Sequence, residues 1–301
     1  MRYIFVLNPL AGSGQAESVI RSAIAALPEK DECEVYLTRA IGDATVFVKN
    51  WCAAHPGEKV RFIACGGDGT ISEVVNGLIG FPDVSFTCYP CGSGNDFVKT
   101  FGGADRFLDV EKLIHAKDQP LDLLKCGDRY SNNVVNFGFD TTVAISVNES
   151  RYKKGTSSKS AYTKGIVKAL ITSMKNTCTV IADGEVLNPG GKILLCTVAN
   201  GQYVGGSFRC APRAKTDDGL IEVCLVRPIS RLKFIQLIGP YTNGKHLDDP
   251  RMAKIMEYRQ VRKVEVQAPE GFAYSLDGEI IHENHFTVEI VPGAVTFALP
   301  E

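Results

Sequence analysis

Short apolar runs alternate with helical patterns in the first part of the chain. In the segment Ile71–Leu78, the apolar residues recur at the spacing of one helix face. Alternating strands and amphipathic helices predict a doubly wound parallel sheet with helices on both faces. The predicted strands are Tyr3–Leu7, Glu34–Leu37, Val60–Cys65 and Val84–Tyr89, and the predicted helices are Ala16–Leu27, Ala44–Ala54 and Ile71–Leu78.

After about Leu121 the pattern changes to strands joined by tight turns such as Asp183-Gly184 and Asp277-Gly278. This predicts an antiparallel β-sandwich domain over residues 121–292, following an α/β domain over residues 1–120. The polar segment Lys153–Ser160 predicts a loop. The predicted strands are Leu121–Cys126, Tyr130–Phe137, Cys178–Ala182, Lys192–Asn200, Leu220–Val226, Lys263–Gln267, Phe272–Leu276 and Phe286–Val291, with helical insertions near Tyr162–Ser173 and Ser230–Ile238.

Composition narrows the class of protein. The 301 residues are 45% hydrophobic and 22% charged with a formal net charge of −1, so no overall field recruits nucleic acid or an anionic membrane. No apolar stretch approaches the roughly 18 residues of a membrane span. The ten cysteines lie mostly in apolar, strand-like contexts, which favours reduced thiols in a cytoplasmic protein. Cys88 and Cys91 have a C-x-x-C spacing but no partner pair for zinc, and we interpret them as structural.

The segment Gly66-Gly67-Asp68-Gly69-Thr70 joins a predicted strand to a predicted helix. Such a turn offers backbone N–H groups and a helix dipole to an anion, and glycine lets a phosphate approach the backbone closely. Backbone N–H groups at Gly12–Gly14 offer a second cradle. The carboxylate of Asp68 would repel a phosphate unless a cation such as Mg²⁺ lies between them. The alternative is that Asp68 only caps the helix that follows.

Other acidic residues have equally simple structural alternatives. Asp277 fits a general base but also a hairpin turn, and Glu279, two residues later on the same face, fits a substitute base or a surface ion pair. Asp218 fits a cation site or a turn before a strand. Asn95 and Asp96 open a helix after a glycine turn, so that one of them is a cap and the other a ligand for metal or ribose.

Several motifs together resemble the diacylglycerol-kinase catalytic family, and the bacterial lipid kinases within it in particular. The first three are Asn8-Pro9-x-Ala11-Gly12, Gly66-Gly67-Asp68-Gly69-Thr70 and Pro90-x-Gly92-Ser93-Gly94-Asn95-Asp96-Phe97. The later ones are Ala211-Pro212-Arg213-Ala214-x-x-Asp217-Asp218-Gly219-Leu220 and Leu276-Asp277-Gly278-Glu279. The resemblance implies a two-domain ATP-dependent kinase with its active site in the interdomain cleft. It also implies that the final strand, within residues 293–301, returns to the first domain.

The resemblance also assigns roles to individual residues. It implies Asp277 as the base and a structural Mg²⁺ held by the side chain of Asp218 and the backbone carbonyls of Lys215 and Leu220. Position 93 is serine where several relatives have threonine, so the hydroxyl is retained. Together with the cradle and turn residues above, the expected ATP contacts are Asn8, Gly12, Thr38, Gly66, Gly67, Asp68, Gly69, Thr70, Ile71, Ser72, Ser93 and Asn95.

From these observations we predict a lipid kinase that uses ATP and Mg²⁺, with diacylglycerol as the leading acceptor. The alternatives are a sphingoid-base kinase, an NAD kinase, which shares the Gly66–Thr70 turn, and a catalytically silent nucleotide-binding regulator. Contact with the membrane is expected to be peripheral and transient, and the segments Lys164–Ile171 and Arg231–Ile238 are candidates for it or helices packed on the β-domain. Related kinases suggest a homodimer, and we expect no nucleic-acid partner.

Overall fold

A computed structural model describes residues 1–12, 14–151 and 158–301 of the chain, with the side chains of residues 150–151 and 158–162 left out of the description. The chain forms two compact units, which are Met1–Leu123 with Val291–Glu301, and Leu124–Ile290. Ser13 of the first glycine-rich loop lies outside the described residues. So do residues 153–157 of the predicted loop, whose remaining residues 158–160 belong to a helix.

The first unit alternates strands and helices as predicted. Two short 3-10 turns, Lys30–Glu32 and Ala104–Phe107, complete its regular structure. In chain order the elements are β1 (Arg2–Leu7), α1 (Ala16–Ala25), β2 (Cys33–Leu37), α2 (Asp43–Ala54), β3 (Val60–Gly66), α3 (Asp68–Leu78), β4 (Ser85–Pro90), α4 (Asp96–Lys99), α5 (Val110–Ile114) and the beginning of β5 (Lys117–Cys126).

The sheet of this unit is parallel in the order β4-β3-β1-β2, which confirms the predicted α/β architecture. Strand β3 is buried at every residue, as expected for a strand with helices on both faces. Helix α3 begins at Asp68 and not at Ile71, so the glycine-rich turn is shorter than predicted and Asp68 lies in the first helical turn. Because the strands are parallel, the loops after β1, β3 and β4 leave the same edge of the sheet.

The end of the chain supplies a further strand to this sheet. Residues Thr296 and Phe297, in the second half of a strand that covers His285–Leu299, pair in parallel with β4. Phe297 lies in a cluster of phenylalanine rings, 5.1 Å from the ring centre of Phe86 and 5.3 Å from that of Phe97. The buried carboxylate of Asp122 accepts a hydrogen bond from the Gly293 amide at 2.7 Å, which holds the start of this segment.

Arg61 is a buried cation near the start of β3, with 4% of its surface exposed. Its guanidinium donates to the carbonyl oxygens of Leu113 and Ile114, at 3.0 and 2.7 Å, and to Asp118 at 2.9 Å. The last carbonyls of a helix have no partner within the helix, and here the guanidinium supplies one for α5. Arg61 therefore fixes α5 to the sheet.

Across its described residues, the second unit contains antiparallel strands and three helices. The elements are the end of β5, β6 (Arg129–Ser131), β7 (Val134–Gly138), α6 (Phe139–Arg151), α7 (Ser158–Thr172), β8 (Asn176–Thr177), β9 (Thr179–Ala182), β10 (Glu185–Val186), β11 (Lys192–Ile193), β12 (Leu195–Ala199), β13 (Ile221–Val226), α8 (Arg231–Thr242), β14 (Met256–Val261), β15 (Lys263–Gln267), β16 (Ala273–Leu276), β17 (Glu279–His282) and β18 (His285–Leu299). The first sheet has the order β14-β13-β12-β7-β16-β17, the strands β10-β9-β15-β18 form a second antiparallel run, and β11 pairs with β8.

These strands enclose the core of the predicted sandwich. Side chains of the first sheet, such as Phe137 and Val198, share one buried cluster with Val180, Val264 and Val288 of β9, β15 and β18. A second cluster lies between the sandwich and the helices, where the rings of Phe139 and Phe234 are 4.7 Å apart. The sandwich is therefore covered by helices on one outer face.

Both predicted hairpin turns are present. Asp183 and Gly184 have φ of 46° and 86°, and Asp277 and Gly278 have φ of 47° and 91°. Two consecutive left-handed residues define the type I′ turn that favours Asp-Gly.

Several boundaries in this unit were wrong in the sequence prediction. The sequence pattern missed helix α6 and strands β14 and β17. The single predicted strand Tyr130–Phe137 is interrupted at Asn132 and Asn133, and Lys192–Asn200 is divided at Leu194. Helices α7 and α8 are longer than predicted.

Asp140 carries an enclosed carboxyl group at the start of α6. Its Oδ2 atom is buried and accepts no hydrogen bond from the described residues. Burial disfavours the ionised form and raises the pKa of Asp140 to about 7. The second unit is therefore more stable when this group is protonated.

Replacing Arg61 with methionine should lower the free energy of unfolding by about 2–4 kcal/mol, because the α5 carbonyls lose a buried donor. Urea unfolding of the whole chain measures this change. The control is Arg21→Met, which removes an exposed pair with Glu17 on α1 and should cost less than about 0.5 kcal/mol. Equal costs for the two variants would contradict the role of Arg61.

The Asp140→Asn variant should change how stability depends on pH. The stabilisation from protonated Asp140 is complete below the unfolded pKa near 3.8 and is lost as pH rises to about 7. The variant should lack that loss and exceed the wild type by roughly 2–4 kcal/mol at pH 8. Urea unfolding at pH 5 and pH 8 tests this, and a constant difference between the two proteins would disprove it.

Candidate active site

Three glycine-rich loops meet at the carboxyl edge of the parallel sheet. A Cβ atom on Gly12 would lie 2.8 Å from the carbonyl oxygen of Cys91, and one on Gly92 would overlap the Cα atom of Gly67. The amide of Cys91 donates to the carbonyl of Gly66 at 2.9 Å. The loops after β1, β3 and β4 are thus in direct backbone contact.

Helix α3 begins at this junction without a side-chain cap. The N-cap is Gly67, whose carbonyl accepts hydrogen bonds from the amides of Thr70 and Ile71. The first amides of a helix have no partner in the helix, so those of Asp68 and Gly69 suit an anion. Beyond the adjacent residues and the helix backbone, no heavy atom of the described residues lies within 4 Å of a Cβ built on Gly69, which leaves this side open. At Gly66, in contrast, a Cβ would overlap the side chain of Thr70.

The carboxylate of Asp68 does not cap its own helix. Its Oδ1 accepts a hydrogen bond from the amide of Phe97 at 3.1 Å, in the first turn of α4. A Cβ on Gly94 would lie 2.9 Å from Asp68 Oδ2, so glycine is needed there for this approach. Burial, and next the neighbouring carboxylate of Asp96, raise the pKa of Asp68. Asp68 thus joins the loop after β3 to the loop after β4.

Lys99 balances part of this negative charge. Its Nζ lies 2.7 Å from Asp96 Oδ1 and donates to the carbonyl of Gly94 at 2.8 Å. A divalent cation would favour the ionised form of Asp68, which burial and Asp96 disfavour. The carboxylate chemistry therefore fits Mg²⁺ at Asp68. Across the described residues, no group of three His, Cys, Asp or Glu side chains could hold a metal alone, so phosphate or water oxygens would complete such a site.

Asn95 holds the turn after β4 in shape. The residue is left-handed, with φ of 52°, and its amide group donates to and accepts from the backbone of Gly92, both at 3.0 Å. These hydrogen bonds and the left-handed conformation are a sufficient reason for asparagine at this position, and no ligand is needed to explain it. Contact of Asn95 with a cofactor stays a prediction.

The other predicted nucleotide contacts surround the same loops. Asn8 and Thr38 follow the ends of β1 and β2, where the amide of Thr38 donates to the carbonyl of Leu7 at 2.9 Å. Ser72 is half-buried on α3 and Ser93 is exposed in the loop after β4. Ile71 differs, since its side chain is fully buried and its amide is bonded within the helix. Ile71 therefore supports the loop from the core.

In the second unit, Asp277 is fixed by a network of hydrogen bonds. Its Oδ1 accepts from the hydroxyl of Ser131 at 2.7 Å and from the amide of Val134 at 2.9 Å, and its Oδ2 accepts from the amide of Asn132 at 3.1 Å. The Asp277 amide also donates to the carbonyl of Val134 at 3.0 Å. The connection from β6 to β7 thus orients a carboxylate at the tip of the β16–β17 hairpin.

Glu279 has a different environment from Asp277. Its carboxylate is exposed and lies 2.7 Å from the guanidinium of Arg129. This contact is the surface ion pair that the sequence left open as an alternative. Catalysis by Glu279 is untested.

The turn that carries Lys215, Asp218 and Leu220 is acidic. Asp218 is exposed, and its Oδ1 accepts from the amide of Leu220 at 3.1 Å. Burial, and to a smaller extent the charge of Asp218, raise the pKa of the nearby Glu222. The Oε2 atom of Glu222 accepts no hydrogen bond from the described residues. A cation would compensate this buried negative charge, so the surroundings fit the predicted structural Mg²⁺.

Sequence reasoning missed the residues that support the acidic groups. Lys99 follows Asp96 by three residues, a spacing at which side chains meet on a helix and which could have been noticed. Ser131 and Asn132 gave no such signal, because they reach Asp277 only through strand pairing. Glu222 was read simply as part of a strand.

Comparisons with known proteins agree with this architecture. Residues 2–126 match the diacylglycerol kinase catalytic domain, and residues 133–299 match the YegS C-terminal NAD kinase beta sandwich-like domain. The chain is 30% identical over 246 residues to "Probable lipid kinase YegS-like" of Chromohalobacter salexigens, covering 80% of this chain and 76% of that protein. It is 29% identical over 252 residues to "Diacylglycerol kinase" of Bacillus subtilis, covering 82% and 79%.

A solved structure supports the fold. The crystal structure of a diacylglycerol kinase from Bacillus anthracis str. Sterne superposes with a TM-score of 0.73 at 20% identity, covering 100% of this chain and 97% of that one. The two matched domains and the named relatives define a kinase, a phosphotransferase. More narrowly, the chain belongs to the YegS-like lipid kinases, in which a diacylglycerol kinase catalytic domain precedes a sandwich domain.

Two glycine substitutions separate loop packing from ligand approach. Gly92→Ala should lower the free energy of unfolding by roughly 1–3 kcal/mol and weaken ATP binding, because the methyl group pushes the loops apart. Gly69→Ala should leave stability unchanged or raise it by up to about 1 kcal/mol, and should still weaken ATP binding, because its methyl group enters the space for phosphate.

Urea unfolding and calorimetric titration with ATP and Mg²⁺ measure both effects. If Gly69→Ala binds ATP as tightly as the unaltered chain, the phosphate does not bind at the start of α3. Unchanged stability in Gly92→Ala would contradict the tight contact with Gly67.

Proposed function

We propose that this kinase transfers the γ-phosphoryl group of ATP to the hydroxyl group of a lipid, with diacylglycerol as the leading acceptor and phosphatidic acid as the product. The single observation that carries the proposal is the junction of three glycine-rich loops beside Asp68 and Asp96. A site that holds its ligand through side chains would not need glycine where three loops meet. A polyphosphate needs it, because its oxygens must approach the backbone N–H groups directly.

In this proposal the nucleotide phosphates lie against the first amides of α3 and the loop at Gly12. Asn8, Thr38, Ser72 and Ser93 supply polar groups around them. Lys99 holds Asp96 and so keeps the two carboxylates of this edge from repelling each other. Mg²⁺, when bound with ATP at Asp68, neutralises phosphate charge during transfer.

The proposed base is Asp277. It takes the proton of the acceptor hydroxyl as the new oxygen–phosphorus bond forms and the bond between the β- and γ-phosphates breaks, leaving ADP. A positioned base typically contributes about 10²–10⁴-fold to the rate. Support comes from the hydrogen bonds of Ser131, Asn132 and Val134, which fix the carboxylate in one orientation.

The choice of acceptor is drawn from the relatives. A relative carries the name diacylglycerol kinase, and the second domain matches one described as NAD kinase-like. A sphingoid base and NAD⁺ are therefore the rival acceptors. Among the described residues, no helix is long and apolar enough to cross a bilayer. We propose that the protein, as a monomer or homodimer, meets its lipid from the cytoplasmic side by transient surface contact.

The test is transfer of labelled γ-phosphate from MgATP to diacylglycerol in mixed micelles, with a sphingoid base and NAD⁺ in parallel reactions. Label in phosphatidic acid is the expected result. Label only in NADP or only in the sphingoid phosphate would mean that the acceptor is NAD⁺ or a sphingoid base and not diacylglycerol. No label in any product would support a silent nucleotide-binding regulator.

The Asp277→Asn variant should reduce transfer by about 10²-fold or more with nearly unchanged ATP affinity, because only the proton acceptor is lost. The matched control is Glu279→Gln, two residues along the same hairpin, where less than a tenfold change is expected since Glu279 faces Arg129. Initial rates and ATP titrations measure both. A larger loss in Glu279→Gln than in Asp277→Asn would move the base to Glu279.

A further inference from the structure

Two helices of the second unit expose large aliphatic side chains. Val167 and Ile171 on α7 are 52% and 66% exposed, and Leu232 and Ile235 on α8 are 68% and 62% exposed. In the described part of residues 124–290, the only other exposed large hydrophobic side chain is Val186, at 42%. The exposed apolar surface of this unit is therefore concentrated on two helices.

Helix α8 is apolar on two opposite faces. Phe234, Leu237 and Tyr241 are buried against the sandwich, at the spacing of one helix face. Leu232 and Ile235 lie on the outer face, also at a helical spacing. A helix that only covers a core needs a single apolar stripe. Packing on the sandwich therefore accounts for the inner face alone.

Arg231 brings the ends of the two helices together. Its guanidinium donates to the carbonyl oxygens of Leu170 and Ile171, at 2.6 and 3.1 Å, in the last turn of α7. Ile171 and Leu232 are next to these contacts. We call the exposed aliphatic side chains of these two joined helices, Val167, Ile171, Leu232 and Ile235, the α7–α8 surface.

The charges of these helices have a single sign. Neither α7 nor α8 contains an acidic residue, and their basic residues include Lys164, Lys168 and Lys233. Lys168 pairs with Glu149 of α6 at 3.4 Å. Lys233 lies in the first turn of α8, where the helix dipole disfavours a cation. Its position is therefore not explained by the stability of the helix.

A basic pocket adjoins α8. It has a volume of about 340 Å³, and its cationic residues are Lys233, Arg251 and Lys254. Asp249 neutralises Arg251, with an oxygen–nitrogen distance of 2.6 Å. No ion pair with Lys233 or Lys254 occurs among the residues that the structure describes. The two lysines leave the pocket with positive charge beside exposed leucine and isoleucine.

We infer that the α7–α8 surface, with Lys233 and Lys254 at its border, docks on a bilayer that contains anionic phospholipid. Exposed aliphatic side chains that enter the acyl boundary and lysines that meet headgroup phosphates are the features of an interfacial helix. Charge complementarity selects this occupant, because the chain as a whole is nearly neutral and the positive charge is local. The inference rests on the proposed function in one respect, that the acceptor is a lipid.

The experiment measures binding of the full chain to sedimenting vesicles without ATP or acceptor. The vesicles are phosphatidylcholine alone, or phosphatidylcholine mixed with phosphatidylglycerol. The variants are Leu232→Ser with Ile235→Ser, and Lys233→Gln with Lys254→Gln. The matched control is Val46→Ser with Lys49→Gln, which changes an exposed valine and lysine on α2 of the first unit.

The unaltered chain should prefer the anionic vesicles and lose binding as salt is added. The double lysine variant should bind them at least about tenfold more weakly, since each lysine near an anionic surface contributes roughly fivefold. The double aliphatic variant should lose binding to both vesicle types, and the control should behave as the unaltered chain. Thermal melting checks that each variant is folded.

Three results would overturn the inference. They are no binding of the unaltered chain to anionic vesicles, undiminished binding of both α8 variants, or a change of oligomeric state in Leu232→Ser with Ile235→Ser, measured by light scattering. The last would make the surface a contact between copies of the chain. Because this experiment uses no nucleotide, phosphoryl transfer to a short-chain diacylglycerol tests the proposed function independently of docking.

Discussion

Two backbones approach as closely as those of Gly67 and Gly92 only where neither residue has a side chain, and the junction of the glycine-rich loops depends on that approach. The contact brings together loops that leave two neighbouring strands. It also allows the Asp68 carboxylate to reach the amide of Phe97 beside Gly94. The resulting junction brings the first backbone amides of α3 together with the carboxylate of Asp68. This combination suits a phosphate and its cation together.

The acidic residues of the protein differ in what surrounds them, and this difference separates their chemistry. Asp68 is buried next to Asp96, which makes its ionised form costly until a cation is present. Asp277 is held by donors from the turn between β6 and β7, which fix its direction. Glu279 is exposed opposite Arg129. The same functional group thus has three different environments, and these fit the proposed metal site, the proposed base and a surface ion pair respectively.

Patterns in short segments of the sequence predict most of the fold and part of the candidate site. The α/β alternation and both Asp-Gly turns could be predicted, because hydrophobic period and left-handed glycine are properties of short segments. Helix α6 was missed, since its apolar residues form no clear stripe beside a strand that is itself apolar. The glycine-rich loops were visible for the same local reason. Ser131 and Asn132 could not be assigned to Asp277, because the pairing of β7 with β16 within one sheet brings them together and no short segment encodes this register.

Strand β18 gives the first unit a late component. Phe297 packs against the rings of Phe86 and Phe97. Residues 124–290, which form the second unit, are synthesised after Phe97 and before Phe297. During synthesis on the ribosome, the β4 edge of the first unit therefore has no partner strand until the sandwich has been made. The sandwich has all its own residues before that gap closes. The first unit is therefore completed only after residues 124–290, and removal of residues 291–301 would take a strand from the sheet whose loops carry the glycine-rich motifs.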